Sequence, residues 1–569
     1  MGQKYFCKKN IMENAMKNTK YNANYRDKSV VMKATRLGAM HQNRLSFTRS
    51  IIRKMSNENW KVFCSLWDLD IKGFGTVIYT ITTDFSEYNF VVFSQYIAED
   101  ERIDRVIAEK WDVTFSLIQG KVNEDLLAQM RQNVPLQEAG RNTSNSLVLA
   151  RANKSVRTFE HIVEALKNGK QPDIKRLSKV GYILRTTAVY GNGKFGIADF
   201  GILKDNPDFK ASFSPQMCAC YLLRHFSVDW VNHIASSASN TAIALDDDIA
   251  QYMGTGNATG LGMAPYLINH PQIVDMWMTT REKAIAKISV QEITNKDFTD
   301  YEGVIKQAIQ HLTEIETIND EQNSINRIAT RELKIYIASG KNGAKSWKEY
   351  IAKTSQLSLE AQEIILSSIM EIYEKLIDDL AQNMNAVENL SMQDGLIISD
   401  MIEVLEEQYQ WALKIDFSNP NSSYWFWYRS EVKEEPRLGV RGEECGEDKE
   451  LPLDIARQVN LFYAELQKSD NDVSMAEFLL KNPKYRTISR RVWTMGNSAM
   501  GDIQMNVLDK NMLPIHLLRC KLAMFGATKF DPRSNKWVQV TLFQGAPLLK
   551  NINAKSGIFP TIPEVKKGA

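Results

Sequence analysis

Between residues 59 and 97 the chain reads NWKVFCSLWDLDIKGFGTVIYTITTDFSEYNFVVFSQYI. Runs rich in Val, Ile, Tyr, Phe and Thr are separated by KGFG and by DFSEYN. β-Branched and aromatic side chains suit a pleated surface, and Gly, Asp, Ser and Asn favour the turns between. The stretch predicts three antiparallel strands in a meander. No later segment is as restrictive, because the remainder of the chain has mainly helical spacing.

A helix is expected over 99–119. Ile103, Val106, Ile107 and Trp111 recur at helical spacing, and Glu99, Asp100 and Glu101 suit a first turn. From 123 to 416 the pattern is mainly helical. SVRTFEHIVEALKNGKQPD stops at Gly169, with Pro172 close behind. Ile174, Leu177, Val180 and Leu184 extend a helix towards a stop at Gly191, a hairpin at Gly191-Asn192-Gly193 being the alternative. Acidic amphipathic helices occupy 357–415, without the sustained heptad of a coiled coil. Beyond 417 come an aromatic strand at Tyr424–Tyr428, a charged loop, helices over 452–480 and short strands such as KWVQVTLFQG. Lys529 to Arg533 reads as a turn.

The expected fold class is α+β, predominantly helical, with a small antiparallel sheet near 59–97 and a mixed C-terminal region. With 569 residues, 44% of them hydrophobic, the chain exceeds one ordinary domain. Its expected divisions are a basic flexible arm at 1–54, a sheet plus helix at 55–122, a helical domain at 123–416 and a mixed α/β region at 417–569. The arm carries thirteen Lys and Arg against Glu13 and Asp27.

A net charge of +2 gives no global footprint for nucleic acid, which is an unlikely partner. Six scattered cysteines, with no Cys-x-x-Cys pair, make neither a disulfide framework nor a zinc site. No apolar run reaches a membrane span, and no secretory signal opens the chain, so the expected setting is cytoplasmic. The sequence does not identify a cofactor.

Two glycine-rich stretches draw attention. Thr255-Gly256-x-x-x-Gly260-Leu261-Gly262 resembles the TGxxxGxG pattern of short-chain dehydrogenases/reductases. That resemblance implies a buried strand before the loop and a Tyr-x-x-x-Lys pair after it. Here the preceding AIALDDDIAQYM is acidic and of helical character. Outside the arm the Tyr-x-x-x-Lys spacing occurs only upstream, from Tyr190 to Lys194 across Gly-Asn-Gly. The family is rejected on both counts. A simpler expectation is an anion site. Thr255, Asn257 and Thr259 offer polar groups, Gly256 and Gly260 allow close backbone approach, and a subsequent helix start presents N–H groups. An interhelical turn with ordinary capping is the alternative. In the other stretch, GYILRTTAVYGNGKFGIADFG, Arg185, Tyr190, Asn192 and Lys194 lie close in sequence. Arg supplies a bidentate fork for carboxylate or phosphate, unless Asp199 pairs with it.

His225, Asp229 and His233 share one helix face at i, i+4 and i+8. Eight residues span roughly 12 Å, too far for both histidines to hold one metal ion. A His–Asp pair for proton transfer remains as a catalytic candidate. Glu435 is a further candidate base, and Arg429 a ligand-binding residue beside the aromatic strand. Two classes of function are open. One is a soluble enzyme or metabolite-binding protein whose small anionic ligand lies between the two glycine-rich corners. The other is an assembly protein that forms a homo-oligomer through helices 357–415 and uses the basic arm as a contact.

Overall fold

The meander forms as β1 (Lys61–Leu69), β2 (Gly75–Thr82) and β3 (Glu87–Ser94), paired antiparallel in sequence order. It is the start of a much larger sheet. The computed structural model describes residues 26–98, 110–137, 143–188, 197–198, 203, 205–260, 266–315, 317, 319–382, 384, 390–417, 423–429, 434–440, 449–503, 514–534 and 537–552. Within these, β4 (Val113–Gln119), β5 (Ser146–Lys154), β6 (Tyr182–Thr186), β7 (Ile197–Ala198), β8 (Gly254–Gly260), β12 (Lys529–Ser534) and β13 (Trp537–Leu542) join the first three. The order is β1-β2-β3-β4-β5-β6-β8-β13-β12, with β7 also on β5. A separate hairpin sheet comprises β9 (Ser423–Arg429), β10 (Glu434–Val440) and β11 (Lys449–Glu450). The chain is α+β and dominated by helix.

Several expectations are corrected. The helix expected over 99–119 is strand β4 at its C-terminal end, and 99–109 lie outside the described residues. Val113, Phe115 and Leu117 alternate with Thr114 and Ser116, the period of a strand, although every residue from Val113 to Ile118 is buried. The helix expected to run to Gly191 stops at Ser178, and Gly181 at φ 81° turns the chain into β6. The turn expected at Lys529–Arg533 is β12. The charged loop after 429 contains β10, in register with β9. Residues 26–54 are no arm, because Val31, Leu37, Leu45, Phe47, Ile51 and Ile52 are buried in the main core.

The helices that place the sheet are α1 (Phe47–Asn57), α2 (Glu124–Asn133), α3 (Val156–Lys167) and α4 (Ser214–Ala238), then α5 (Asp247–Tyr252). Helix α4 is buried around most of its circumference, with only Asp229 exposed between Ser214 and Val231, as befits a helix enclosed by core. It lies on the sheet face that carries Tyr79, Phe90 and Phe115. On the other face α2 covers a smaller cluster of Ile78, Val91, Phe93, Ile118 and Leu149.

Helices α6 (Pro271–Ser289), α7 (Asn295–Glu314), α8 (Asp320–Ala338), α9 (Leu359–Ile372) and α10 (Ile398–Gln408) come next, then α11 (Leu451–Leu466), α12 (Arg486–Gly496) and α13 (Pro514–Phe525). The acidic stretch 357–415 puts its apolar faces inside this chain. Helix α9 buries Ile364, Ile365, Ile369 and Met370 in the main core. Helix α10 forms a second core with α11 and α12 through Met401, Leu405, Val459, Phe462 and Val492. Among the described residues no helix is long and apolar enough to cross a membrane.

Candidate functional site

Strands β6 and β8 form the one parallel pairing among the described strands, and α4 lies between them in sequence. Tyr182 stands opposite Gly254, and Arg185 opposite Gly256. The glycine-rich stretch from Thr255 to Gly260 is therefore a strand, not a corner, and pairs along its length with β13. Glycine is required there by close approach. A Cβ on Gly256 would lie 2.4 Å from the Tyr182 ring, and one on Gly254 would lie 2.3 Å from the Leu542 carbonyl oxygen. The strand is anchored from behind. Arg224 of α4, fully desolvated, donates to the carbonyls of Ala250, Gln251, Met253, Ala546 and Pro547, which frame the entry to β8.

The polar residues of β8 serve this scaffold. Thr255 Oγ1 donates to the Cys220 carbonyl at 2.9 Å, and Asn257 Nδ2 donates to the Thr186 carbonyl at 2.7 Å. Both residues are buried. The ladder between β6 and β8 ends at Gly256, and β6 itself ends at Thr186. Further along β5, Val148 and Leu149 are taken up by β7. Thus β6 and β7 lie in line on one neighbour with an interruption between them. Tyr190, Asn192 and Lys194 fall within that interruption and lie outside the described residues, as does Asp199.

The face of the sheet at this break is polar. Asn153 of β5 stands opposite Arg185, so Arg151 is the diagonal neighbour of Arg185 on the same face, roughly 7–8 Å away. Arg151 is buried beneath the Trp111 ring, 3.8 Å from its centroid, and burial lowers its guanidinium pKa to about 10. Opposite it on β4, Thr114 is fully buried and its hydroxyl has no partner. The Thr187 hydroxyl, next along the chain from β6, is likewise unpartnered. Arg185 is half-buried, and no hydrogen bond or ion pair joins its side chain to another described residue. The arrangement offers cationic N–H groups and hydroxyls beside a glycine-lined strand, which suits a small oxyanion.

The other expected residues do not gather here. His225 points into the core, edge-on to Tyr221 at 4.7 Å, with Nε2 unpartnered. Burial, reinforced by Arg224, holds its pKa well below the ordinary range, so the ring is neutral near pH 7. Asp229 accepts a hydrogen bond from Tyr79 of β2. His233 accepts at Nδ1 from Trp67 at 3.2 Å, and its Nε2 lies 2.8 Å from the Asp70 carbonyl, which selects the Nε2–H tautomer. The three thus face three different partners. Arg429 and Glu435 sit on adjacent strands of the β9–β10 hairpin, and their side chains lie outside the described residues, as does that of Thr259; Gly260 closes β8 opposite Trp537. Among the described residues no cluster of His, Cys, Asp and Glu could hold a metal ion.

A cleft of about 1280 Å³ lies elsewhere, walled by Arg44, Arg49 and Arg53 on one side and by α7, Glu371 and Glu374 on the other. Its arginines are engaged: Arg49 with Glu371 at 2.7 Å, Arg44 and Arg53 with Asp378 at 2.9 and 2.7 Å. Burial and the neighbouring Arg44 and Arg49 push the Arg53 pKa down to about 10. Sequence reasoning missed this wall because it assigned these arginines to an arm. Their signal was the i, i+4 spacing of Arg49 and Arg53 beside Ile51 and Ile52. Comparison of the chain with protein-family models, with curated proteins and with solved structures finds no match.

Proposed function

We propose that this chain is an enzyme or metabolite-binding protein whose ligand is a small carboxylate or phosphate, held on the sheet face where β6 breaks off beside β8. The single observation that carries this reading is Arg185, a half-buried guanidinium without a carboxylate partner among the described residues, at the end of the parallel pair. Arg151 lies diagonally beside it, and two like charges at that spacing favour an anion between them. In open α/β sheets, ligands bind beyond the carboxyl ends of strands where the connection pattern changes, and the β6–β8 pairing is such a change within an otherwise antiparallel sheet. Arg185 supplies the bidentate contact, Arg151 the field, and Thr187 a hydroxyl.

The test is thermal denaturation of the full chain against a panel of small carboxylates and phosphates. A ligand at 100 times its Kd stabilises the fold by about 2.7 kcal/mol. Arg185→Ala abolishes that gain and leaves the unliganded melting temperature nearly unchanged, while Arg185→Lys retains part of it. A panel without any stabilising anion, or an alanine variant that responds like the parent, overturns the reading.

A further inference from the structure

Strand β1 is an edge of the sheet, with β2 its sole strand neighbour among the described residues. Exposed edges usually carry devices that prevent pairing with another chain, such as proline, charged side chains, bulges or short length. This one is nine residues long and has no proline. It exposes Phe63 to 53% and leaves Val62, Leu66 and Trp67 half-exposed. Of those devices it carries a bulge between Cys64 and Leu66 and the charges of Lys61 and Asp68 near its ends.

The bulge sets which residues share a face. Lys61, Phe63, Leu66 and Asp68 stand opposite Thr82, Thr80, Ile78 and Thr76 of β2, all on the α2 side of the sheet. Val62, Cys64 and Trp67 stand opposite Ile81, Tyr79 and Val77 on the α4 side. A twofold axis perpendicular to a sheet preserves its faces, so only residues of like facing can meet across it. In a regular strand, residues seven apart point to opposite faces. Here the bulge places Lys61 and Asp68 on the same one.

We propose that β1 is the contact through which a second copy of this chain binds, the two strands running antiparallel with Lys61 of each opposite Asp68 of the other. That register brings Val62 to Trp67 and Phe63 to Leu66, so the exposed apolar side chains cover each other and both ends carry opposite charges. Charge complementarity selects it over a shift by one pair, which would set Phe63 against Asp68. Asp68 is 70% exposed, and among the described residues its one ion-pair partner is Arg131 at 3.5 Å, which leaves it available to the lysine. Cys64, the exposed cysteine among the described ones, falls beside the axis.

Sedimentation velocity of the full chain over a range of concentrations tests this. The expected result is a monomer–dimer equilibrium whose Kd rises at least tenfold in Lys61→Asp and also in Asp68→Lys, with melting temperatures unchanged. The double variant, with the charges exchanged, returns Kd to within about threefold of the parent. Mild oxidation cross-links the dimer, and Cys64→Ser prevents it. A chain that stays monomeric at every concentration, or a dimer indifferent to both single exchanges or not restored by the double one, overturns the proposal.

Discussion

Gly256 is the residue on which the β6–β8 junction turns. Its missing side chain lets the Tyr182 ring lie against the backbone, and a methyl group there meets ring carbons at 2.4 Å. Gly256→Ala is therefore expected to destabilise the fold by about 1–3 kcal/mol, the cost of overpacking a filled site. Denaturant titration measures the loss, and Gly256→Ala/Tyr182→Leu recovers part of it. Arg224 is the complementary case. Five carbonyls depend on its guanidinium. Arg224→Met keeps the volume but leaves several buried acceptors unpaired, at about 1–3 kcal/mol each. The expected outcome is loss of the folded protein near physiological temperature, read by circular dichroism on heating. Neither role is visible locally: Gly256 reads as a loop residue until its neighbours are known, and Arg224 as one more cation on a helix.

At the scale of elements, a buried ion network staples the N-terminal segment to α6 and α9. Glu363 of α9 accepts from Arg281 of α6 and from Arg36 at 2.6 Å, and from Arg26 at 3.1 Å. Glu282 binds Arg26 at 2.6 Å. Burial would raise the Glu363 pKa, but Arg281, Arg26 and Arg36 outweigh it and hold the carboxyl at about 2. A folded-state pKa below the ordinary carboxylate value stabilises the fold above that ordinary value, and the benefit is lost as pH falls towards 2. Glu363→Gln should thus cost most stability near neutral pH, with the gap to the parent narrowing between about pH 4.5 and 2. Denaturant midpoints of the two proteins across that window check it. A gap independent of pH would assign the loss to packing alone.

At the scale of the whole molecule, three histidines, His41, His225 and His311, lie where burial disfavours the imidazolium. Burial, with His311 adding to it, pushes the His41 pKa down to about 4; burial does the same to His311, against an opposing hydrogen bond to the Thr528 carbonyl. His225 is lowered further still. The unfolded chain takes up these protons near pH 6.5, and the folded one does not. Stability must therefore fall as pH drops from about 6.5 to 4, largely above the Glu363 window. Melting temperatures measured across that interval should decline with a slope of two to three protons. His41→Asn should reduce the slope by about one proton. A flat profile would mean that the histidines are hydrated in the native state.

The features legible in the sequence are those set by near neighbours. The β1–β3 meander arises from turn residues between β-branched runs. The end of α3 before Gly169, at φ 68°, and the Asp246 cap on α5 arise from hydrogen bonds spanning a few residues. The α+β, helix-rich class is their sum. The remainder was decided by contacts between distant segments. Strand β4 keeps the alternation of a strand in Val113-Thr114-Phe115-Ser116-Leu117, but the helical spacing of Ile103, Val106, Ile107 and Trp111 runs directly into it. Strand β8 is four-sevenths glycine and alanine, and is extended because β6 and β13 lie beside it. The polar face around Arg151 and Arg185 exists because Asn153 and Arg185, 32 positions apart, pair across a ladder. Local chemistry chooses turns and caps, since their energies are settled within one turn of chain. A sheet's register and the company a buried charge keeps are settled by burial, which no window of sequence contains.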